Sequence, residues 1–175
     1  MGISSKQGKA ETYNWVETHK EKINSILDIG VGSGTYFDLL SPIKQFHWTG
    51  VEAWQDYITE FKIEEKYNTI HNCDILEYPW TTTYDLVIAG DVLEHISKQS
   101  AIELVEMILA HTSTLIISIP IVYMPQDEIN NNPYEIHVKD DWSHTEVIET
   151  WGQYIKEFWI PPGKKSNVGV YWLSV

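Results

Sequence analysis

The stretch Leu27-Asp28-Ile29-Gly30-Val31-Gly32-Ser33-Gly34-Thr35-Tyr36 most narrows what this chain can fold into. A mostly apolar run from Ile23 to Ile29 carries an acid at Asp28 and runs into three glycines at alternate positions. A segment compatible with a helix follows. The three parts together read as a buried strand, a tight turn and a helix start. Glycine has no Cβ and tolerates positive φ, so such a turn lets a ligand approach the backbone closely. A strand-to-helix turn with no ligand is the rival reading, and a glycine loop alone does not decide between them.

Patterning along the rest of the chain supplies the partners of that strand. Residues 9–20 read as a short helix with Tyr13, Trp15 and Val16 on its apolar side, part of a helical N-terminal extension over 1–22 whose first five residues are frayed. Strands are expected over 23–30, 46–52, 68–74, 84–91 and 114–119. The last is apolar almost throughout, as a strand covered on both faces should be. Helices are expected over 36–41, ended by Pro42, and from Trp54, where Trp54, Tyr57, Ile58 and Phe61 recur with helical spacing. Capping boxes at Ser100-Ala101-Ile102-Glu103 and Ser143-His144-Thr145-Glu146 open two more. The second of these places Val147, Ile148, Trp151, Tyr154 and Ile155 on one side. Residues 158–160, a turn from Pro161 through a Lys-rich stretch, and residues 168–175 read as a terminal antiparallel hairpin. Alternating strands and helices predict an α/β domain, a doubly wound and mostly parallel sheet, in a single domain over 1–175. Residues 121–142 form the one long irregular connection, and loops of that length are usually functional.

Asp28, Glu52, Asp74 and Asp91 each fall at the end of one of four consecutive expected strands. Ligands of open α/β sheets sit beyond those ends, at the point where strand order reverses. Glu52 lies 22 residues after Gly30, a spacing at which an acid accepts hydrogen bonds from a ribose diol. Cys73 is the single cysteine, so no internal disulfide and no cysteine-rich metal site is available. No metal is assigned from the sequence.

The acid-x-Gly-x-Gly-x-Gly spacing differs from the dinucleotide fingerprint G-x-G-x-x-G, whose third glycine would fall on Thr35. It resembles motif I of the class I S-adenosylmethionine (SAM)-dependent methyltransferases. That resemblance implies a Rossmann-like, seven-stranded sheet closed by the C-terminal antiparallel hairpin. It also implies a set of cofactor-binding positions. Gly30, Gly32 and Gly34 would lie against the methionine part and ribose of SAM, and Asp28 would help hold its amino group. Glu52 would take the ribose, with Ala53 beside it and Trp54 against the adenine edge. Asp74 would accept from the adenine exocyclic amine, the Ile75 amide would serve a ring nitrogen, and Gly90 would flank the same site. The run Asp91-Val92-Leu93-Glu94-His95 resembles the segment after the fourth strand in small-molecule methyltransferases, where the chain passes beside the methyl group.

The implied activity is methyl transfer from SAM to an oxygen or nitrogen of a small-molecule acceptor. Such a displacement chiefly needs positioning and exclusion of water, and a base only where the acceptor has a proton to lose. His137 inside the 121–142 stretch, His95 and Asp91 are the catalytic candidates, with His144 a further one. A histidine that merely packs is the competing reading for His95. The 25 acidic residues outnumber 12 basic ones, for a net charge of -13. That disfavours a nucleic-acid backbone or an anionic membrane surface as partner. No run of about 18 apolar residues is present, and residues 1–22 lack the apolar core of a secretory signal. A cytoplasmic protein is the expectation, and dimerisation a further one for a chain without a separate substrate domain. Three rivals stay open: a nucleotide-dependent oxidoreductase, a SAM-binding protein without transfer, and a SAM enzyme of another reaction type. NAD-dependent protection against melting would support the first, SAM binding with no methylation of any tested acceptor the second, and decarboxylated SAM outcompeting SAM the third.

Overall fold

A computed structural model describes residues 7–162 and 167–175. The expected frayed segment 1–5, and Gly163, Lys164 and Lys165 of the expected hairpin turn, lie outside the described residues. The chain begins with α1 (Lys9–His19) and continues β1 (Ser25–Ile29), α2 (Thr35–Leu40), β2 (His47–Val51), α3 (Gln55–Glu60) and β3 (Thr69–His71). It then gives β4 (Leu86–Gly90), α4 (Lys98–Leu109), β5 (Leu115–Pro120), α5 (His144–Trp151), β6 (Ile155–Trp159) and β7 (Val168–Leu173). The strands form one seven-stranded sheet in the order β3-β2-β1-β4-β5-β7-β6. The first five are mutually parallel, and β7 runs antiparallel to both β5 and β6. This is the expected doubly wound sheet with its closing hairpin. Strand order reverses at β1, which lies between β2 and β4.

Both faces of the sheet are covered, which is why β4 and β5 are buried residue by residue. Successive side chains of a strand point to opposite faces, and the core divides accordingly. Leu27, Ile29, Val87, Ala89, Leu115 and Ile117 pack with Leu104, Val105 and Ile108 of α4 and Val147 and Trp151 of α5. Ile26, Ile88 and Ile116 pack on the other face with Val16 of α1, Leu40 of α2, Trp48 and Tyr67. Among the described residues no helix is long and apolar enough to cross a membrane.

Several boundaries differ from the sequence expectation, each for a local reason. The side chain of Ser97, not Ser100, caps α4 by accepting from the Ser100 amide, so the helix starts at Lys98. Ser143 does cap α5, accepting from the Glu146 amide. Glu146 does not close the box, because Lys98 and Lys139 hold its carboxylate. Tyr154 and Ile155 match helical spacing, yet α5 stops at Trp151 and Ile155 opens β6 opposite Leu173. Cross-strand pairing with β7 wins there over helical periodicity. Strand β3 spans only Thr69–His71 instead of 68–74. The Asp74 side chain accepts from the Leu76 amide and starts a 3-10 turn over Ile75–Glu77, which takes the chain off the sheet edge.

Asp28 lies inside β1, beneath the glycine turn, and is 1% exposed. Its Oδ2 accepts from the Tyr67 hydroxyl at 2.5 Å, while Oδ1 has no hydrogen-bond partner. Burial pushes the Asp28 carboxyl up to about 7, against the opposing pull of the Tyr67 hydroxyl and the Lys9 ammonium. The ordinary value is 3.8, so between those two values the folded chain holds a proton that the unfolded chain has released. Stability from this group is therefore full at low pH and is lost as pH rises through about 7. Replacing Asp28 by Asn removes the titration. Between pH 5 and 8 the wild type should lose on the order of 2 kcal/mol relative to Asp28→Asn, read by denaturant unfolding of both. Parallel pH dependences for the two proteins would contradict this placement.

Candidate cofactor and acceptor site

The glycine turn is built from positive-φ backbone. Gly30, Gly32 and Gly34 have φ of 67, 52 and 81°, a region that L side chains rarely enter. Gly30 and Val31 both donate to the Val51 carbonyl, which ties the turn to the end of β2. A Cβ on Gly32 would point into open space, its nearest neighbour being the Gly30 carbonyl at 3.9 Å. The backbone is thus bare where a ligand would lie.

Glu52, the residue after β2, is 5% exposed. Its two carboxylate oxygens accept from the Gly32 amide at 2.8 Å and the Trp54 amide at 2.8 Å. The acid expected to meet a ribose also braces the turn. Burial raises its pKa, while the amides of Trp54 and Gly32 work the other way. Asn72 donates to the carbonyls of Glu52 and Ala53 and holds the β2 and β3 ends together.

These residues open onto a cavity of about 380 Å³, within the roughly 300–1,000 Å³ common for small-molecule sites. Gly30, Gly32, Glu52, Ala53, Asp74, Ile75, Asp91, His95 and His137 of the sequence-based set line it. Asp28, Gly34, Trp54 and Gly90 do not. Asp28 sits below the turn, and Gly34 precedes α2 as its left-handed cap. Trp54 turns its ring toward Tyr134, with centroids 6.5 Å apart. Gly90 makes room for a ring, since a Cβ there would come within 2.2 Å of Tyr36. His144 is elsewhere, with its Nδ1 2.9 Å from the Tyr171 hydroxyl. Cys73 reaches the cavity wall, and burial pushes its thiol pKa up.

Asp91 takes φ 58° immediately after β4. It accepts from Ser118 Oγ at 2.8 Å and faces Lys9 Nζ at 3.8 Å. The Lys9 ammonium also lies 3.8 Å above the Tyr36 ring. Burial works against the Lys9 charge, but Tyr36, Asp91 and Asp28 outweigh it and hold its pKa above the ordinary value. A lysine at a helix start, unremarkable in sequence, brings α1 to the site.

Residues 121–142 supply part of the cavity wall, with Met124, Gln126 and His137 lining it. They are irregular apart from a 3-10 turn at Pro133–Glu135, and backbone bonds hold them. His137 N donates to the Gln126 carbonyl, Met124 N to that of Asp140, and Val138 and Lys139 N to that of Glu94. Tyr57 is buried, and its hydroxyl donates to Glu135 at 2.7 Å. His95 and His137 meet with ring centroids 4.9 Å apart. Burial, then the neighbouring His137, lower the pKa of His95. Glu94, adjacent to His95, is 2% exposed. Burial and then Asp91 push its carboxyl well above the usual range. In the sequence Glu94 stands inside a motif with no role assigned to it; an acid next to a candidate histidine is the available signal.

A family described as "Methyltransferase domain" matches residues 26–113, half of the chain. Compared against curated proteins, the sequence finds no match. Solved structures share the fold at low identity. An S-adenosylmethionine-dependent methyltransferase from Clostridium acetobutylicum ATCC 824 is 11% identical over 98% of this chain and 92% of its own, with a TM-score of 0.73. The magnesium protoporphyrin IX methyltransferase of Synechocystis PCC 6803, solved with bound SAM, is 14% identical over 97% and 79%, with a TM-score of 0.70. The small RNA methyltransferase HEN1 is 16% identical over 99% of this chain but 26% of its own, with a TM-score of 0.68. From the matched domain, together with a parallel sheet closed by the antiparallel β5-β7-β6 edge, the chain belongs to the class I SAM-dependent methyltransferase family.

Proposed function

We propose that the protein transfers a methyl group from SAM to an oxygen or nitrogen of a small-molecule acceptor bound beneath residues 121–142. One observation carries this reading: a single cavity joins the glycine turn and Glu52 at one end to Asp91, His95 and His137 at the other. The residues fit the cofactor. The turn leaves backbone bare at Gly32, and the cavity is walled by carboxylates suited to a ligand with an ammonium and a sulfonium.

SAM supplies a methyl carbon on positively charged sulfur. The acceptor's lone pair bonds to that carbon while the carbon–sulfur pair returns to sulfur. The chain's contribution is placement and a dry approach. Glu52 anchors the ribose end through whatever capacity its bonds to Gly32 and Trp54 leave. Asp91, His95 and His137 stand on the acceptor side, where a hydroxyl or amine proton has to be given up. The net charge of -13 favours a small acceptor over a polyanion.

Glu52→Ala removes a charged hydrogen-bond acceptor worth about 1.5–3 kcal/mol. SAM affinity measured by calorimetry should fall roughly 10- to 100-fold. Gly32→Asp adds a side chain toward the cavity at a left-handed backbone position and should abolish binding. Unchanged affinity in both variants would overturn the cofactor assignment. His137→Ala should leave SAM affinity near wild type and lower the transfer rate by roughly 10²-fold or more, in a screen of small hydroxy, amino and carboxy compounds. Turnover on RNA but on none of these compounds would replace the proposed acceptor class.

A further inference from the structure

We propose that Glu94, His95 and His137 bind a divalent first-row transition-metal ion, which fastens residues 121–142 over the cavity and presents open positions to an oxygen-bearing acceptor. The inference rests on the methyltransferase reading only for what the ion would do to the acceptor. The site itself stands on its own geometry.

Each of the three side chains offers one ligand atom, and the three atoms lie within 4.8 Å of one another. Bonds of about 2.0–2.2 Å to a common ion would require the three side chains to draw inward from these separations. Glu94 is 2% exposed, and among the described residues its Oε2 has no hydrogen-bond partner. A buried carboxylate oxygen left unpaired is costly. Asp91 and Glu135 are acidic neighbours of this carboxyl, and Lys9 is the one basic neighbour among the groups acting on it. A bound cation is what this position lacks.

The histidines are set up independently. His95 Nδ1 lies 3.2 Å from the Ile136 carbonyl, and His137 Nδ1 lies 2.5 Å from the Met124 carbonyl. A carbonyl oxygen has no proton to give, so in both rings Nδ1 is the donor. Each neutral ring then keeps an unprotonated Nε2. Metal-binding histidines usually hold their second nitrogen in this way, which fixes tautomer and ring orientation.

Two imidazoles and one carboxylate suit zinc, cobalt, manganese or iron better than magnesium or calcium, which prefer all-oxygen shells. Three protein ligands also leave positions open for an exogenous group. A hydroxyl bound there would ionise more readily. Its proton would pass to water, its oxygen would form the bond to the methyl carbon, and the carbon–sulfur pair would return to sulfur. The histidines then act as ligands and not as bases. His95 belongs to the turn after β4 and His137 to the 121–142 segment, so the ion would bridge the two, alongside the Val138 and Lys139 amides already bound to the Glu94 carbonyl.

The test is calorimetric titration of chelator-stripped protein with zinc, cobalt, manganese and magnesium chlorides, together with the visible spectrum of the cobalt form. One ion per chain is expected, with the preferred transition ion bound at least tenfold more tightly than magnesium. Glu94→Gln and His137→Ala should each weaken that binding at least tenfold and alter the cobalt spectrum. His137 is only partly buried, so His137→Ala remains informative should Glu94→Gln fold poorly. Absence of any bound ion, or undiminished affinity in both variants, would overturn the site. SAM titration of the same samples separates the two claims. SAM binding without metal binding defeats this inference alone, and metal binding without SAM binding defeats the methyltransferase reading alone.

Discussion

Carboxylates gathered at the C-terminal edge of a parallel sheet set the terms for the rest of this structure. Asp28, Glu52 and Glu94 are each 5% exposed or less, and Asp91 stands among them. Taking one ionised carboxylate out of water costs several kcal/mol. The chain offsets part of that cost by a different device at three of these positions. Asp28 takes a hydroxyl from Tyr67, Glu52 takes two backbone amides, and Asp91 takes Ser118 and the buried Lys9. Asp28 and Glu94 each keep one oxygen with no hydrogen-bond partner among the described residues. Burial raises the pKa of Asp28, Glu52 and Glu94 alike.

The topology brings them together. Parallel pairing of β2, β1 and β4 aligns three C-terminal strand ends, and the reversal of order at β1 leaves a crevice above them. The three left-handed glycines let the chain leave β1 without filling that crevice. Two outlying segments then complete it. Lys9 carries α1 to the Asp91 side, and residues 121–142 close the acceptor side through bonds to the Glu94 carbonyl and through Tyr57–Glu135. The cavity is thus bounded by a sheet edge and by a segment tethered across it.

The sheet was legible because its strands are apolar runs punctuated by acids and glycines, a pattern that parallel pairing with two covered faces requires. The glycine turn and the position of Glu52 followed from spacing within a strand-turn-helix unit. Features that depend on distant chain were not legible. Periodicity could not show that Ile155 pairs with Leu173 instead of extending a helix, nor that Tyr57 would donate to Glu135, 78 residues away. Ser97 and Ser100 are both plausible caps in sequence, and only the backbone shows which accepts the amide. Glu94, Lys9 and the pairing of His95 with His137 share the same obscurity. Each becomes informative only when the turn after β4 meets α1 and residues 121–142 in space.

Crystals grown with S-adenosylhomocysteine test the central claim most directly, because they place the ligand and not merely its affinity. The account predicts the ligand along the bare backbone of Gly30 and Gly32, with its ribose hydroxyls on Glu52 and its sulfur facing the Asp91, His95 and His137 side of the cavity. A ligand bound elsewhere on the sheet, or a ribose that leaves Glu52 untouched, would contradict it.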